Sequence, residues 1–270
     1  MGEDLINHRI LAELAEAVAA GTPVVLATVI DTSRSVPRHA GSKMLVYGDG
    51  GTSGTIGGGQ MESRVIGEAI AALGDGKARL LSYDLIDPAR GDPGVCGGEV
   101  NLYLEAYMPL STVFVIGAGH IGRAVVELAH WLGFRVVAYD DRADLADPGA
   151  LPDADVTLTG DFASALEGAP VTDKTHVVVV SRNMTVDLGV LPLLLDTPAR
   201  SIGVMGSRRR WQETRKALED RGIPGASLAR VQAPIGLELN AESPEEIAVS
   251  ILSEIIMDRR GGTGDPMSTD

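Results

Sequence analysis

Residues 113–122 read Val-Phe-Val-Ile-Gly-Ala-Gly-His-Ile-Gly, and Arg-Ala-Val-Val-Glu-Leu-Ala-His continues the line to His130. An apolar strand, a turn built on Gly117, Gly119 and Gly122, and an amphipathic helix follow one another in the order of a dinucleotide-binding fingerprint. Gly117 permits the tight turn, Gly119 lets backbone approach a pyrophosphate, and Gly122 allows helix and strand to pack closely. The helix N-terminus adds unpaired N–H groups and a positive dipole for phosphates. His120, inside the turn, is placed to touch a ligand or to sit on the surface of the first helical turn. The next apolar strand, RVVAYDD, ends at Asp140 and Asp141, 18 and 19 residues beyond Gly122, where a carboxylate can accept hydrogen bonds from a ribose. Arg142 follows directly and suits a 2′-phosphate, so NAD and NADP both remain open, as does a turn that binds no nucleotide.

Outward from this stretch, strands and helices alternate from Ser111 to a last helix at Ser243-Pro244-Glu245-Glu246, whose serine, proline and glutamates form a capping box. Near-continuous apolar strands between helices predict a parallel sheet covered on both faces. Upstream, the pattern differs. A helix over 3–20, strands at Val24–Ile30, Lys43–Tyr47, Arg79–Tyr83 and Val100–Tyr107, and a helix through Met61–Leu73 predict an α/β domain with a mixed sheet. The expected division is 1–108 for this first domain, 111–260 for a Rossmann-like doubly wound domain, and a polar, disordered tail at 261–270. There are no internal repeats.

Composition narrows the function classes. The 270 residues carry a net charge of −14, which argues against a phosphate-backbone surface and hence against nucleic acid. A single cysteine, Cys96, excludes an internal disulfide scaffold. The N-terminus has acids where a signal peptide needs bases, and no apolar run approaches the ~18 residues of a membrane span, so a cytoplasmic protein is expected. Glycine is the outlier at 33 residues. Glycines in clusters let a chain approach a ligand through bare backbone.

The second cluster lies in the N-terminal half: Ser33-Arg34-Ser35-Val36-Pro37-Arg38, then Gly41-Ser42-Lys43-Met44, then Gly54-Thr55-Ile56-Gly57-Gly58-Gly59-Gln60-Met61-Glu62. Gly57, Gly58 and Gly59 just before a helix can aim several N–H donors at an anion. Arg34, Arg38 and Lys43 can bring positive charge to the same point. The alternative is a hairpin region with solvated bases. No P-loop is present, because no Gly-Lys-Ser/Thr follows. Cys96 sits in Gly94-Val95-Cys96-Gly97-Gly98, a loop with space around the sulfur; its thiolate could ligate a soft metal or carry persulfide sulfur, or the residue could be an inert small hydrophobe. No motif identifies a metal site or a hydrolytic nucleophile–base pair. Gly206-Ser207-Arg208-Arg209-Arg210 places bases at a helix start, where they oppose the dipole unless an anion or acidic partner is near.

In order along the chain, GTPVVLATVIDTSRSVPRHAGSKMLV, GTIGGGQMES, YDL followed by GVCGGEV, VFVIGAGHIGRAVVELAHWLGFRVVAYDDR, GVMGSRRR and APIGLELNAESPEEIAVSILSEII resemble the xanthine dehydrogenase accessory protein (XdhC/CoxI) family. The resemblance runs from about residue 20 to 260. It implies a chaperone that binds the molybdenum cofactor, of molybdopterin type, shelters it while a cysteine desulfurase supports its sulfuration, and delivers it to an apo molybdenum hydroxylase of the xanthine dehydrogenase type. By the family's motifs the matching positions are Pro37, Arg38, Lys43, Gly57, Gly58, Gly59, Glu62 and Cys96, with Cys96 as sulfur carrier or metal ligand. The cofactor's phosphate, pterin and soft dithiolene-bound metal call respectively for N–H nests or cations, hydrogen-bond partners, and a thiolate. One segment departs from the family. Where relatives commonly carry histidines after the fourth Rossmann strand, this chain has Ser181-Arg182-Asn183-Met184-Thr185, while Asp187-Leu188 remains.

Two further readings stay open beside the chaperone. An NAD(P)-dependent oxidoreductase would use the glycine turn and Asp140 or Asp141, but no lysine, tyrosine or histidine stands out as its proton donor. A non-enzymatic adaptor would sense a nucleotide in the Rossmann half and gate delivery. A homodimer is compatible with the sequence, although no feature supplies its interface.

Overall fold

The computed structural model describes residues 3–85, 93 and 97–268. The chain divides into two compact units, Met1–Pro109 and Leu110–Asp270. No helix among the described residues is long and apolar enough to cross a membrane.

The first unit contains α1 (Glu3–Ala19), β1 (Val24–Ser33), β2 (Lys43–Tyr47), β3 (Thr52–Gly54), α2 (Gly59–Asp75), β4 (Arg79–Asp84) and β5 (Glu99–Tyr107). Its strands lie in the order β3-β2-β1-β5-β4. Each of the four pairings is antiparallel, where a mixed sheet was expected. The continuous apolar run of β1 has a different cause from strand direction. Val24 and Leu26 meet Ile10, Leu14 and Ala17 of α1 on one face. Val25, Ala27 and Val29 meet Met61, Val65, Ala69 and Ala72 of α2 on the other. A central strand with a helix on each side is apolar at every position, whichever way its neighbours run. Beyond Val29 the register against β5 shifts around Ile30, and the strand continues to Ser33.

The second unit is a parallel sheet ordered β11-β10-β9-β6-β7-β8, from β6 (Thr112–Ile116), β7 (Arg135–Tyr139), β8 (Val156–Leu158), β9 (Thr175–Val179), β10 (Ser201–Val204) and β11 (Val231–Gln232). This is the doubly wound order, which reverses between the first and fourth strands, here β6 and β9. Helices α3 (His120–Trp131) and α8 (Pro244–Arg260) cover one face, with Val113, Val115, Val136 and Val178 beneath them. On the other face, Phe114, Ile116, Val177 and Val179 lie under α4 (Phe162–Gly168), α5 (Met184–Leu195) and α6 (Arg208–Asp220). A one-turn helix, α7 (Gly225–Leu228), precedes β11. The capping box opening α8 is made as its sequence requires, between Ser243 and Glu246. Residues 261–268 follow α8 as exposed chain without helix or strand.

The crossing of β6 and α3 allows no side chain at Gly122. A Cβ there would lie 1.8 Å from the carbonyl oxygen of Gly117. Gly117 itself has φ 108°, and its Cβ would lie 2.7 Å from the Val180 carbonyl oxygen. Both contacts are with backbone, so relief requires moving a strand or a helix. Gly189, exposed within α5, has no atom within 4 Å of its would-be Cβ. In denaturant unfolding, Gly122→Ala is therefore expected to cost about 1–3 kcal/mol. Gly189→Ala is expected to add about 0.4–1 kcal/mol by restricting the unfolded chain.

Candidate functional site

The N-terminal glycine cluster is built as a nest. Gly57, Gly58 and Gly59 have φ 141°, 81° and 67°, three successive conformations that side chains disfavour. They turn the preceding N–H groups toward one point before α2 begins. The atom at that point belongs to the chain itself. Glu62 Oε1 accepts from the N–H groups of Ile56 at 3.0 Å, Gly57 at 3.3 Å and Gly58 at 2.9 Å, and from the Thr55 hydroxyl at 2.5 Å. Burial pushes the Glu62 carboxyl up, but the Thr55 hydroxyl and the three N–H donors together outweigh it and hold the group below its ordinary 4.5. The sequence pattern groups Glu62 with the glycines as ligand-binding residues; in the fold Glu62 occupies the anion position.

Two other stretches meet this nest. Pro37 lies against Gly57, where a Cβ would come within 2.8 Å of its ring. Gly98 is buried under the same loop, its would-be Cβ 2.5 Å from the Ser33 carbonyl oxygen and 2.3 Å from that of Ser35. Gly97 and Gly98 in turn exchange backbone hydrogen bonds with Leu85 at 2.6 and 2.8 Å. The loop at 33–38 thus runs between the triple glycine and Gly97-Gly98. Lys43 joins through its backbone, its carbonyl accepting from Thr55 N–H at 3.2 Å, while its ammonium reaches the Gly41 carbonyl at 3.5 Å. Arg34 is exposed with φ 61°, and Arg38 is half-buried. Neither makes an ion pair among the described residues. Cys96 lies outside the described residues. Among those described, no group of three or more metal-ligating side chains is present.

In the Rossmann unit the glycine turn is built as its spacing requires. The Gly117 N–H donates to the Tyr139 carbonyl at 2.8 Å, and Gly119 caps α3 with open space about it. His120 is exposed on the first turn of α3. Asp140 ends β7 with only 2% of its surface exposed. Its Oδ2 accepts from Ala118 N–H at 2.8 Å and from an Arg142 terminal nitrogen at 2.9 Å. Its Oδ1 accepts from Arg142 N–H at 3.0 Å and Nε at 2.8 Å. Burial raises this carboxyl, yet the Arg142 and Ala118 hydrogen bonds bring it down to about 2. Asp141 is gripped at 2.5 and 2.7 Å by both terminal nitrogens of Arg182.

The departing segment has work at each of three positions. Ser181 donates to Asp187 at 2.5 Å, Arg182 holds Asp141, and Asn183 caps α5 by accepting from Val186 N–H at 3.1 Å. Asp187 is fully buried and also accepts from Arg210 at 2.6 Å. The acidic partner expected for the bases at the start of α6 is thus Asp187 for Arg210, while Arg209 pairs with Glu213 on the helix surface. The sequence motifs do not single out Asp187 as the anchor of this cluster; its signal is the buried helix face it shares with Val190, Leu191 and Leu194. Nor do they point to His176, buried on β9 with Nδ1 at 2.9 Å from the Ser201 hydroxyl. Burial lowers His176 to about 4, so the ring is neutral near pH 7.

Because the folded Glu62 carboxyl is lowered, its contribution to stability is full above pH 4.5 and is lost as pH falls through the folded value. Glu62→Gln should destabilise by about 0.5–2 kcal/mol near neutral pH, the range of a lost cap. The difference from wild type should shrink in acid, as followed by denaturant unfolding at a series of pH values. A difference that stays constant into acid would contradict the charged, nest-bound carboxylate.

Comparison with known proteins agrees with this architecture. The chain is 32% identical over 260 residues to the uncharacterized protein YqeB of Escherichia coli (strain K12), covering 94% of this chain and 47% of YqeB. It is 28% identical over 160 residues to a probable xanthine dehydrogenase component of Bacillus subtilis (strain 168), covering 59% of this chain and 46% of that protein. It thus spans about half the length of these two relatives. To the molybdenum cofactor insertion chaperone PaoD of E. coli (strain K12) it is 23% identical, over 92% of this chain and 88% of PaoD. A crystal structure described as a xanthine dehydrogenase from Bacillus halodurans superposes with a TM-score of 0.51 at 23% identity, covering 95% of this chain and 97% of that one, and so shares its fold. Residues 17–84 match the model of the XdhC and CoxI family, and residues 113–255 match that of the XdhC Rossmann domain. The matched Rossmann segment is more than half the chain, and the protein belongs to the XdhC family.

Proposed function

We propose that this protein is an accessory factor in the maturation of a molybdenum hydroxylase: it holds the molybdenum cofactor, supports its sulfuration together with a cysteine desulfurase, and passes it to the apo-enzyme. Support comes from the family membership and from PaoD, which is described as a molybdenum cofactor insertion chaperone. The observation that carries the reading is the meeting of Pro37, Gly57 and Gly98 around one loop that bears two arginines without ion-pair partners among the described residues.

The residues present fit the cofactor in a particular way. The nest formed by residues 56–58 is taken by Glu62, so its N–H groups are not available to a phosphate. The cofactor's phosphate falls instead to Arg34 and Arg38, whose guanidinium groups suit an anion. The polar pterin edge can donate hydrogen bonds to the backbone carbonyl groups of the glycines at 57–59 and 97–98, whose N–H groups at Gly57, Gly58 and Gly97 are already bonded within the chain. When bound, the cofactor supplies a soft metal that a thiolate can ligate, and Cys96 is the residue assigned to that contact or to carrying sulfur. Lys43 contributes positive charge beside the same loop. Redox turnover with NAD(P) draws less support, because Asp140 and Asp141 are already bound by arginines.

Purified protein mixed with molybdenum cofactor and passed through a desalting column should retain molybdenum and pterin together. Arg38→Ala should lower that retention about tenfold, the effect of losing one charge-assisted contact. Cys96→Ala should lower the sulfur load more than the pterin load. No retention by the folded wild-type protein would overturn the reading.

A further inference from the structure

We infer that Arg142 and Arg182 make this Rossmann unit reject nicotinamide dinucleotides, although its glycine turn is fully built. The turn offers Gly117, Gly119 and Gly122 in working geometry, so the obstacle is not backbone. It lies at the ribose corner. A ribose diol is held by a carboxylate whose lone pairs face the cleft, and a carboxylate has about four such positions. In Asp140 four hydrogen bonds arrive from within the chain: one from Ala118, three from Arg142. The adjacent carboxylate, Asp141, has one hydrogen bond to each oxygen from Arg182, which comes from the far side of the corner, 41 residues later in sequence.

The same two arginines leave little for a 2′-phosphate. Arg142 spends Nε and one terminal nitrogen on Asp140, and Arg182 spends both terminal nitrogens on Asp141. The space left among Ile116, Gly117, Tyr139, Asp140 and Arg182 is about 10 Å³, the room of one water molecule. The two pairs differ in strength. Asp141–Arg182 is half-exposed on both sides, so alone it closes the corner weakly. Asp140 is buried, and its clasp by Arg142 is the firmer barrier.

NADH and NADPH fluorescence titrations of the full chain test the inference. Wild type should show no saturable binding up to about 1 mM, while Arg142→Ala/Arg182→Ala should bind at least about tenfold more tightly than that limit. Saturation of wild type below that limit would overturn the inference, as would a double variant that keeps its circular dichroism and binds no better than wild type. Should the double variant lose its fold, amide spectra of wild type decide. Resonances of Gly117–Ile121 that stay fixed on adding NADH support the closure, and their movement contradicts it. Neither outcome bears on retention of the molybdenum cofactor, which is assigned to the other unit.

Discussion

Backbone N–H groups turned inward by glycine must find an acceptor, and this chain supplies the acceptors from its own carboxylates. An unmade hydrogen bond at such a donor costs more than a made one contributes, so an inward-facing nest is either ligand-filled or self-filled. Glu62 fills the nest ahead of α2, and Asp140 takes the Ala118 N–H in the Rossmann turn. Each carboxylate sits where a helix N-terminus favours negative charge. The glycine cluster before α2 is therefore stabilised without a phosphate, and in the Rossmann turn one donor, the Ala118 N–H, is satisfied in the same way.

That constraint shifts where ligand chemistry can occur. In the N-terminal unit the free polar capacity moves from the nest to the loop packed over it, where Arg34 and Arg38 have no ion-pair partner among the described residues. Loop and nest are mechanically joined, because Pro37 rests on Gly57 and the Ser33 and Ser35 carbonyls rest on Gly98. A change at any of the three stretches is felt by the other two. In the Rossmann unit the polar capacity of the ribose corner is spent on two arginines, and the Ser181–Asp187–Arg210 cluster ties the loop after β9 to α5 and α6.

Much of the architecture was legible from sequence because its signals are local. The strand–turn–helix at Val113–Gly122, the alternation that follows it, and the box at Ser243–Glu246 each depend on residues a few positions apart. The direction of the N-terminal strands was not legible. Hydropathy along β1 reports that both faces are covered, and it is silent on whether β2 and β5 run with it or against it. The glycine clusters were legible as turns, but their occupants were not. Arg182 reaches Asp141 across 41 residues and Arg210 reaches Asp187 across 23, and such pairings exist only once the sheet has assembled. Glu62 was close enough in sequence to be suspected. Its proximity to Gly58 is the familiar spacing of a residue that bonds back to its own helix start, and this local explanation competes with a ligand role on spacing alone.

The most direct test of self-filled nests is the titration of the carboxyl carbons by carbon-13 magnetic resonance. Asp140 should titrate at about 2, and Glu62 should titrate below its ordinary 4.5, in the protein free of any added anion. An Asp140 midpoint at or above the ordinary 3.8, or a Glu62 midpoint at or above 4.5, would show these carboxylates facing solvent and would contradict the account.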